Sequence, residues 1–454
     1  MTYAFTFDAS ACTGCKACQE ACRDKNDLPG AVLWRWVIEV AGGEWHSTGA
    51  AWENSIFAYN LSLACNHCVH PKCAGVCPVD AFHVRPDGIV LIDQGKCMGC
   101  GYCAWACPYG APQYLSERGV MSKCNFCYDS LAAGLPPSCV AACPLRVLNF
   151  IAVDEAAPAP GIQALWQLPA SAHPFPLPPY SRTEPHLAVK PHPAMANPLK
   201  KQVANREEIP PGIAGKPQRG LAELPLVGFT LLTQMAAGIA VCSLFLPALP
   251  LPLLLGIGLL LGVGGLISFL HLGRKRNAWR SVLHLKKSWL SREILAAGLF
   301  GLAWAGNLVL QQETGLARWL MALLGAGLVF SMSQVYRLRA APLWNTWRTP
   351  AAFFLSAAVL GALGVNLATP GPGWGAIACL ALVAELGLAL STQPSPPGWA
   401  RPLRLTLLGL ALAGTLLLLL GAVLPIPVFV VALVGEAVGR WHFYAGRVEN
   451  TQFS

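Results

Sequence analysis

The sequence predicts two parts: a small cysteine-rich α+β domain, then an all-α membrane domain of about eight transmembrane helices. Three observations point there. Sixteen of the 18 cysteines fall into four groups of four, all before residue 144. Apolar residues make up 54% of the 454 and charged residues only 12%, too greasy for a soluble protein of this size. From about residue 224 the chain becomes a series of apolar segments near twenty residues long.

The densest cysteine stretch runs from Cys97 to Pro108, C-M-G-C-G-Y-C-A-W-A-C-P. Two-residue gaps let Cys97, Cys100 and Cys103 converge on three iron corners of one cube. Cys107 then points toward a neighbouring cube, and Pro108, which has no N–H to donate, helps to set the turn. This is the bacterial ferredoxin spacing for [4Fe–4S], where the fourth cysteine ligates the other cluster of a pair. Cys12, Cys15, Cys18 and Cys22 repeat it without the proline. Cys65, Cys68, Cys73 and Cys77 repeat it with one gap widened to four residues, and Cys124, Cys127, Cys139 and Cys143 with one gap widened to eleven. Zinc also takes C-x-x-C pairs, but a zinc site closes at four ligands and needs no such run. Disulfide frameworks belong to small secreted domains. The reading is four [4Fe–4S] clusters with these sixteen cysteines as iron ligands, in a four-cluster ferredoxin-like domain over residues 1–155. Short β runs such as 88–93 lead into the cysteine loops, and short helices are expected after each third cysteine.

Residues 156–223 read as a proline-rich linker. Fourteen prolines fall between Pro158 and Pro217, a density that makes a semi-rigid strap. The membrane domain occupies 224–445. Its helices are predicted over about 224–247, 250–272, 293–312, 317–337, 350–369, 374–392, 403–423 and 425–443. Each is long enough to cross a hydrocarbon core of about 30 Å. Thr349-Pro350 reads as a helix N-cap followed by N1.

The net charge of +9 does not point to nucleic acid, because the basic residues sit mainly in the linker and between apolar segments. The first residues, M-T-Y-A-F-T-F-D, lack a charged leader, an apolar run and twin arginines, so no export address is expected. Eight crossings return the C-terminus to the side of the cluster domain. On that side the short loops and the tail carry fourteen basic residues, seven of them from Arg274 to Arg292; the far side carries Arg318 alone. The positive-inside rule therefore predicts a multi-pass protein of the bacterial or archaeal cytoplasmic membrane, with the cluster domain in the cytoplasm.

The order of motifs resembles a known family. C-T-G-C-K-A-C-Q-E-A-C at Cys12, A-C-N-H-C at Ala64, A-C-P-Y-G-A-P-Q-Y at Ala106, C-N-F-C-Y-D and C-V-A-A-C-P-L-R resemble the iron–sulfur subunit of DMSO reductase-type molybdoenzymes. L-P-L-V-G-F-T at Leu224, F-L-H-L-G at Phe269, S-R-E-I at Ser291, W-x-x-W-x-T-P at Trp344 and G-E-A-V-G-R-x-x-F-Y at Gly435 resemble that enzyme's membrane anchor. In the family these are usually two polypeptides; here they read as fused.

The resemblance implies that Cys143 completes the set of Cys12, Cys15 and Cys18, and Cys22 that of Cys124, Cys127 and Cys139. Cys107 then joins Cys65, Cys68 and Cys73, and Cys77 joins Cys97, Cys100 and Cys103. It also implies a separate molybdopterin-containing catalytic subunit, and a quinol site in the membrane part with His271 and Glu293 as its polar residues. Histidine suits a phenolic proton, and an interfacial carboxylate can hand it to water. The plainer readings are a helix-capping histidine and a charge at a helix N-terminus. Heme is not expected, since only His271 lies suitably placed for an axial ligand. Glu385 is predicted mid-helix, where a charge is expensive, and is read as protonated or paired. Glu436 and Arg440, one turn apart, are read as an ion pair, and Cys242 and Cys379 as packing residues.

The function expected is oxidation of menaquinol or a similar quinol from the pool in the lipid, with electrons passed through the clusters to the molybdenum subunit. One rival runs the chemistry backwards, oxidising a sulfur compound or formate and reducing quinone. Another is a non-catalytic anchor scaffold.

Overall fold

The computed structural model describes residues 1–30, 32–49, 51–153, 177–196, 202–204, 224–310, 315–391 and 398–445. The chain divides into two compact units, Met1–Pro217 and Gln218–Asn450.

The first unit is built from short elements around its cysteine loops. Strand β1 (Thr2–Asp8) leads to helix α1 (Ala17–Lys25), then β2 (Arg35–Gly42), a hairpin of β3 (Trp45–Thr48) and β4 (Ala51–Asn54), and β5 (Phe57–Ala64). Next come α2 (Lys72–Val76), β6 (Phe82–Val84), β7 (Val90–Ile92), α3 (Tyr102–Ala106), β8 (Gln113–Leu115), β9 (Val120–Ser122), α4 (Tyr128–Ala132), α5 (Ser138–Ala141) and β10 (Leu148–Val153). Strand β1 pairs antiparallel with β10, Phe5 opposite Phe150. Strand β2 pairs antiparallel with β5, Ile38 opposite Leu61. Phe126 stacks on Phe5 of β1 with ring centroids 4.1 Å apart.

The helices do not follow each third cysteine; they carry it. Cys18, Cys73, Cys103 and Cys139 are each the second residue of a helix, in α1, α2, α3 and α5. The turn before each helix has a fixed shape. The third residue of the first C-x-x-C in each group has positive φ: Gly14 at 72°, His67 at 43°, Gly99 at 70° and Phe126 at 61°. Glycine takes that conformation freely, while His67 and Phe126 are held in it by full burial.

The region expected to be a strap is in part built into the first unit. Most of it, 154–176, 197–201 and 205–223, lies outside the described residues. Strand β11 (Leu187–Lys190) lies parallel to β1, with Phe5 opposite Leu187. Strand β12 (Gln202–Ala204) lies antiparallel to β2. Leu177, Tyr180, Leu187, Val189 and Met195 join the same buried core as Phe5 and Trp36. Proline hides this from composition, yet both strands are edges, where a missing N–H costs little.

The second unit contains eight helices of 18 to 21 residues among those described. They are α6 (Leu224–Cys242), α7 (Leu251–Ser268), α8 (Trp289–Val309), α9 (Gly315–Val335), α10 (Arg348–Ala368), α11 (Pro372–Leu390), α12 (Ala400–Leu419) and α13 (Pro425–Ala445). Seven of them are long and apolar enough to cross a membrane. The other, α8, matches them in length and carries Ser291, Arg292 and Glu293 in its first turns.

Small residues set the helix spacing. A Cβ on Gly238 of α6 would stand 1.9 Å from the Ala357 carbonyl oxygen of α10, and one on Gly361 would stand 2.4 Å from the Gly238 carbonyl carbon. The two backbones thus touch directly, as small residues permit in membrane bundles. Helix α10 starts at Arg348, one residue before the expected cap. The Thr349 hydroxyl donates to the Trp344 carbonyl at 2.7 Å instead of capping the next turn.

Candidate functional site

The sixteen cysteines form four sets in space. The electrostatic neighbours of several thiols outline these sets, with contacts between adjacent sets beside them. Cys12 feels Cys15, Cys18 and Cys143. Cys22 feels Cys139 and Cys127, and Cys124 feels Cys22 and Cys139. Cys73 feels Cys107, Cys65 and Cys68. Cys103 feels Cys100, Cys97 and Cys77. The first set lines a cavity with Phe7, Val37, Pro144, Val147 and Leu148. The third lines another with Val90, Tyr109, Lys123 and Thr183.

The sets stand in a row. The set of Cys12 meets that of Cys22 through Cys18 and Cys139. The set of Cys22 meets that of Cys65 through Cys124. The set of Cys65 meets that of Cys97 through Cys73 and Cys103.

The residues fit a cubane better than a single ion. Among the described residues, no three His, Cys, Asp or Glu side chains are placed to hold one metal ion. Zinc would need its sulfurs at about 2.3 Å from one centre. A [4Fe–4S] core takes one thiolate at each of four corners, so its ligands stand around a cavity. Burial pushes the Cys107 thiol up to about 11 and the Cys22 thiol up to about 12. Thiols so placed resist ionisation unless cationic metal compensates them.

Backbone amides are already aimed at the sulfurs. The N–H of Ala81 donates to Cys77 Sγ at 3.3 Å, that of Phe126 to Cys124 Sγ at 3.3 Å, and those of Gly99 and Met121 to Cys97 Sγ at 3.4 Å. Two cations complete the setting. Burial would depress the guanidinium of Arg35, but the thiolates of Cys139, Cys18, Cys124 and Cys22 more than reverse this and raise it. Lys123, buried, donates through Nζ to the carbonyls of Val90 and Cys124. Beside it, burial and then the Lys123 charge hold His67 well below the usual imidazole range. His67 is therefore neutral, and its Nδ1 accepts the Val90 N–H at 3.1 Å.

Sequence reasoning did not single out Arg35, Ser62, His67 or Lys123. The signals it offered were slight: a lone arginine inside the apolar run L-W-R-W-V, and a lysine directly before Cys124.

In the second unit, His271 ends a 3₁₀ turn, Phe269–His271, that follows α7. Glu293 lies in the first turns of α8 and is only 2% exposed. Helices α7 and α8 are consecutive and packed together, so the two residues belong to the same end of this unit. Ser288 caps α8, its hydroxyl accepting the Ser291 N–H at 3.4 Å. Arg292 ties the preceding loop down through the carbonyls of Leu285 and Lys286, at 2.8 and 3.0 Å. Tyr336, just beyond α9, is an electrostatic neighbour of Glu293.

Rows of thiol sets in one unit and a bundle of apolar helices in the other define a membrane-anchored electron-transfer iron–sulfur protein. Comparison with known proteins agrees. Residues 56–153 match the 4Fe-4S dicluster domain family, and residues 218–391 match the DMSO reductase anchor subunit (DmsC) family. The B subunit of anaerobic dimethyl sulfoxide reductase from Escherichia coli (strain K12) is 47% identical over 190 residues, covering 42% of this chain and 89% of that protein. The formate dehydrogenase iron–sulfur subunit of Wolinella succinogenes is 39% identical over 166 residues, covering 32% of this chain and 78% of that protein. The thiosulfate reductase electron transfer subunit of Salmonella typhi is 37% identical over 155 residues, covering 34% of this chain and 77% of that protein. The protein belongs to the family of DMSO reductase iron–sulfur subunits, here fused to a DMSO reductase-type anchor. It is a multi-pass membrane protein, the iron–sulfur and anchor parts of such a complex in one polypeptide.

Proposed function

We propose that this chain oxidises menaquinol or a similar quinol in its membrane unit and delivers the electrons to a separate molybdopterin-containing subunit, which reduces an S-oxide, N-oxide or related acceptor. The observation that carries this reading is the unbroken row of four thiol sets. In it, Cys12, Cys15, Cys18 and Cys143 would hold one [4Fe–4S] cluster, and Cys22, Cys124, Cys127 and Cys139 a second. Cys65, Cys68, Cys73 and Cys107 would hold a third, and Cys77, Cys97, Cys100 and Cys103 a fourth. When bound, these clusters supply one-electron carriers. The protein's own part is to insulate them, aim amide N–H groups at their ligands and set the nearby charge through Arg35 and Lys123.

Quinol oxidation releases two electrons and two protons. His271 takes a phenolic proton, and Glu293 passes it on toward water. The basic residues from Arg274 to Arg292, set against Arg318 alone at the opposite helix ends, support a cytoplasmic cluster unit.

The test is anaerobic EPR on membranes bearing the chain, before and after a reduced menaquinol analogue. Cluster signals that appear with quinol, and whose rate of appearance falls at least tenfold with His271→Ala, are expected. Clusters that answer dithionite but not quinol would remove the donor assignment. Reduction by formate or a sulfur donor, with electrons passing on to quinone, would reverse the direction. Protease cutting the 156–223 region only from the outer face of sealed vesicles would overturn the orientation.

A further inference from the structure

The membrane unit buries a second group of ionisable residues, apart from His271 and Glu293. Glu385 of α11 is fully buried, and Glu436 and Arg440 of α13 are 2% and 5% exposed. Arg404 of α12, Ser356 of α10 and Gln234 of α6 surround them.

Each carboxyl has one oxygen beside a donor. Glu385 Oε1 accepts from Arg404 Nη2 at 2.6 Å. Glu436 Oε2 lies 2.8 Å from the Ser356 hydroxyl, whose single O–H also has the Ala352 carbonyl at 2.8 Å. Arg440 reaches Glu436 only through Ser356: its Nη2 donates to Ser356 Oγ at 3.3 Å and to Gln234 Oε1 at 2.9 Å. Its guanidinium lies 3.7 Å from the centre of the Phe353 ring. The expected Glu436–Arg440 ion pair is thus a bridged contact.

The other two oxygens, Glu385 Oε2 and Glu436 Oε1, are buried and receive no donor. Yet the two carboxyl groups lie within hydrogen-bonding reach of each other. Ionised carboxylates only accept, so no bond can form between them unless one carries a proton. If this group were a fully ionised clamp, two charged acceptors would face each other, stripped of water and with nothing to accept, the costliest way to bury a polar atom. One proton between them satisfies both. The four charged groups then carry a net +1, and Arg404, whose side chain is 19% exposed, is the least buried of them.

We propose that Glu385 and Glu436 form a proton-binding site inside the membrane unit, two carboxyls sharing one proton between Arg404 and Arg440. A second polar group lies beyond Arg440. Arg440 is an electrostatic neighbour of Tyr444 and Tyr336, the Tyr444 hydroxyl donates to the Tyr336 hydroxyl at 2.7 Å, and Tyr336 neighbours Glu293. The charged groups beside the pair are Arg404 and Arg440; Tyr336 and Tyr444 neighbour Arg440, and Tyr336 neighbours Glu293. The site holds its proton between these two guanidinium groups. Its existence does not depend on the quinol reading.

Infrared spectroscopy of the full chain in lipid nanodiscs tests this, in a Glu293→Gln background so that Glu293 is silent. The expected result at neutral pH is a carbonyl-stretch band of a protonated carboxylic acid. It should shift in D₂O and with carboxyl-¹³C glutamate. It should vanish in Glu385→Gln and equally in Glu436→Gln, because either change removes the shared proton. Helical circular dichroism and thermal denaturation of the membrane unit report that each variant is folded. Where a glutamine variant does not fold, Glu385→Asp serves: the band should remain and move in frequency. No such band in the background chain, a band that survives both glutamine variants, or one unmoved by Glu385→Asp overturns the proposal.

Discussion

The Nη1 of Arg35 donates to the Ser62 hydroxyl at 3.1 Å. That same hydroxyl lies 3.3 Å from Cys18 Sγ. A buried cation is thereby coupled to the thiols around Cys18 and Cys22 through one hydroxyl and through space. Replacing Arg35 with Gln removes a positive charge beside two cluster sites while keeping a donor. The two nearest clusters should then become harder to reduce by about 60 mV or more, a tenfold change for a one-electron couple. An EPR-monitored redox titration reads this directly. Unchanged potentials would show that the thiolates are compensated elsewhere.

Cys77 follows Cys73 closely in sequence, yet its electrostatic neighbour is Cys97. Cys77→Ser should therefore damage the cluster of Cys97, Cys100 and Cys103 and spare that of Cys65, Cys68 and Cys73. Cys107→Ser should do the reverse. Each variant should lose one of four EPR signals, and the two spectra should differ in which signal is missing. Identical losses would contradict the crossed arrangement.

Gly361 and Gly238 bring α10 and α6 into backbone contact, and neither helix can yield without breaking its own ladder. Gly361→Ala should destabilise the membrane unit by about 1–3 kcal/mol or more, the usual cost of overpacking. Thermal denaturation in detergent, followed by tryptophan fluorescence, would report it. As a control, Gly262→Ala meets nothing within 4 Å and should be neutral.

Removing iron should unfold the first unit and leave the second folded. The cavities at Cys12 and Cys65 lie among the side chains of a small core, so an emptied cluster site opens a hole at its centre. Chelation under reducing conditions should abolish protease resistance across the cysteine loops, while the helical circular dichroism of the membrane unit persists. A first unit that keeps its protease resistance would show a core independent of the clusters.

Much of this was legible in the sequence, for identifiable reasons. Cysteines that converge on one place in space sit at short fixed spacings, so the run from Cys97 to Pro108 declares itself locally. Membrane helices must be long and apolar, so their ends were placed to within a few residues. Arg35 and Lys123 were not legible, because a lone charge in an apolar run means nothing until its partners are known, and those partners are cysteines far along the chain. The environment of Glu385 was hidden likewise, since Arg404 and Glu436 lie on two other helices. His271 and Glu293 emerged only through resemblance to a family. Strands β11 and β12 were masked by the prolines around them, which suggest a strap even where the residues between them pair in sheets.

The parallel pairing of β11 with β1 imposes a timetable on maturation. The first strand made must wait for Leu187 to Lys190 before its sheet is complete. Thr183, on the same late stretch, helps to line the cavity of Cys65, Cys68, Cys73 and Cys107. Only 33 residues separate Lys190 from Leu224, where the first membrane helix begins. At about 5–20 residues per second of synthesis, that interval lasts about 2–7 s. Closure of the cluster unit and capture of the chain by lipid therefore fall almost together, and the machinery that delivers iron and sulfide has to work beside the machinery that inserts helices.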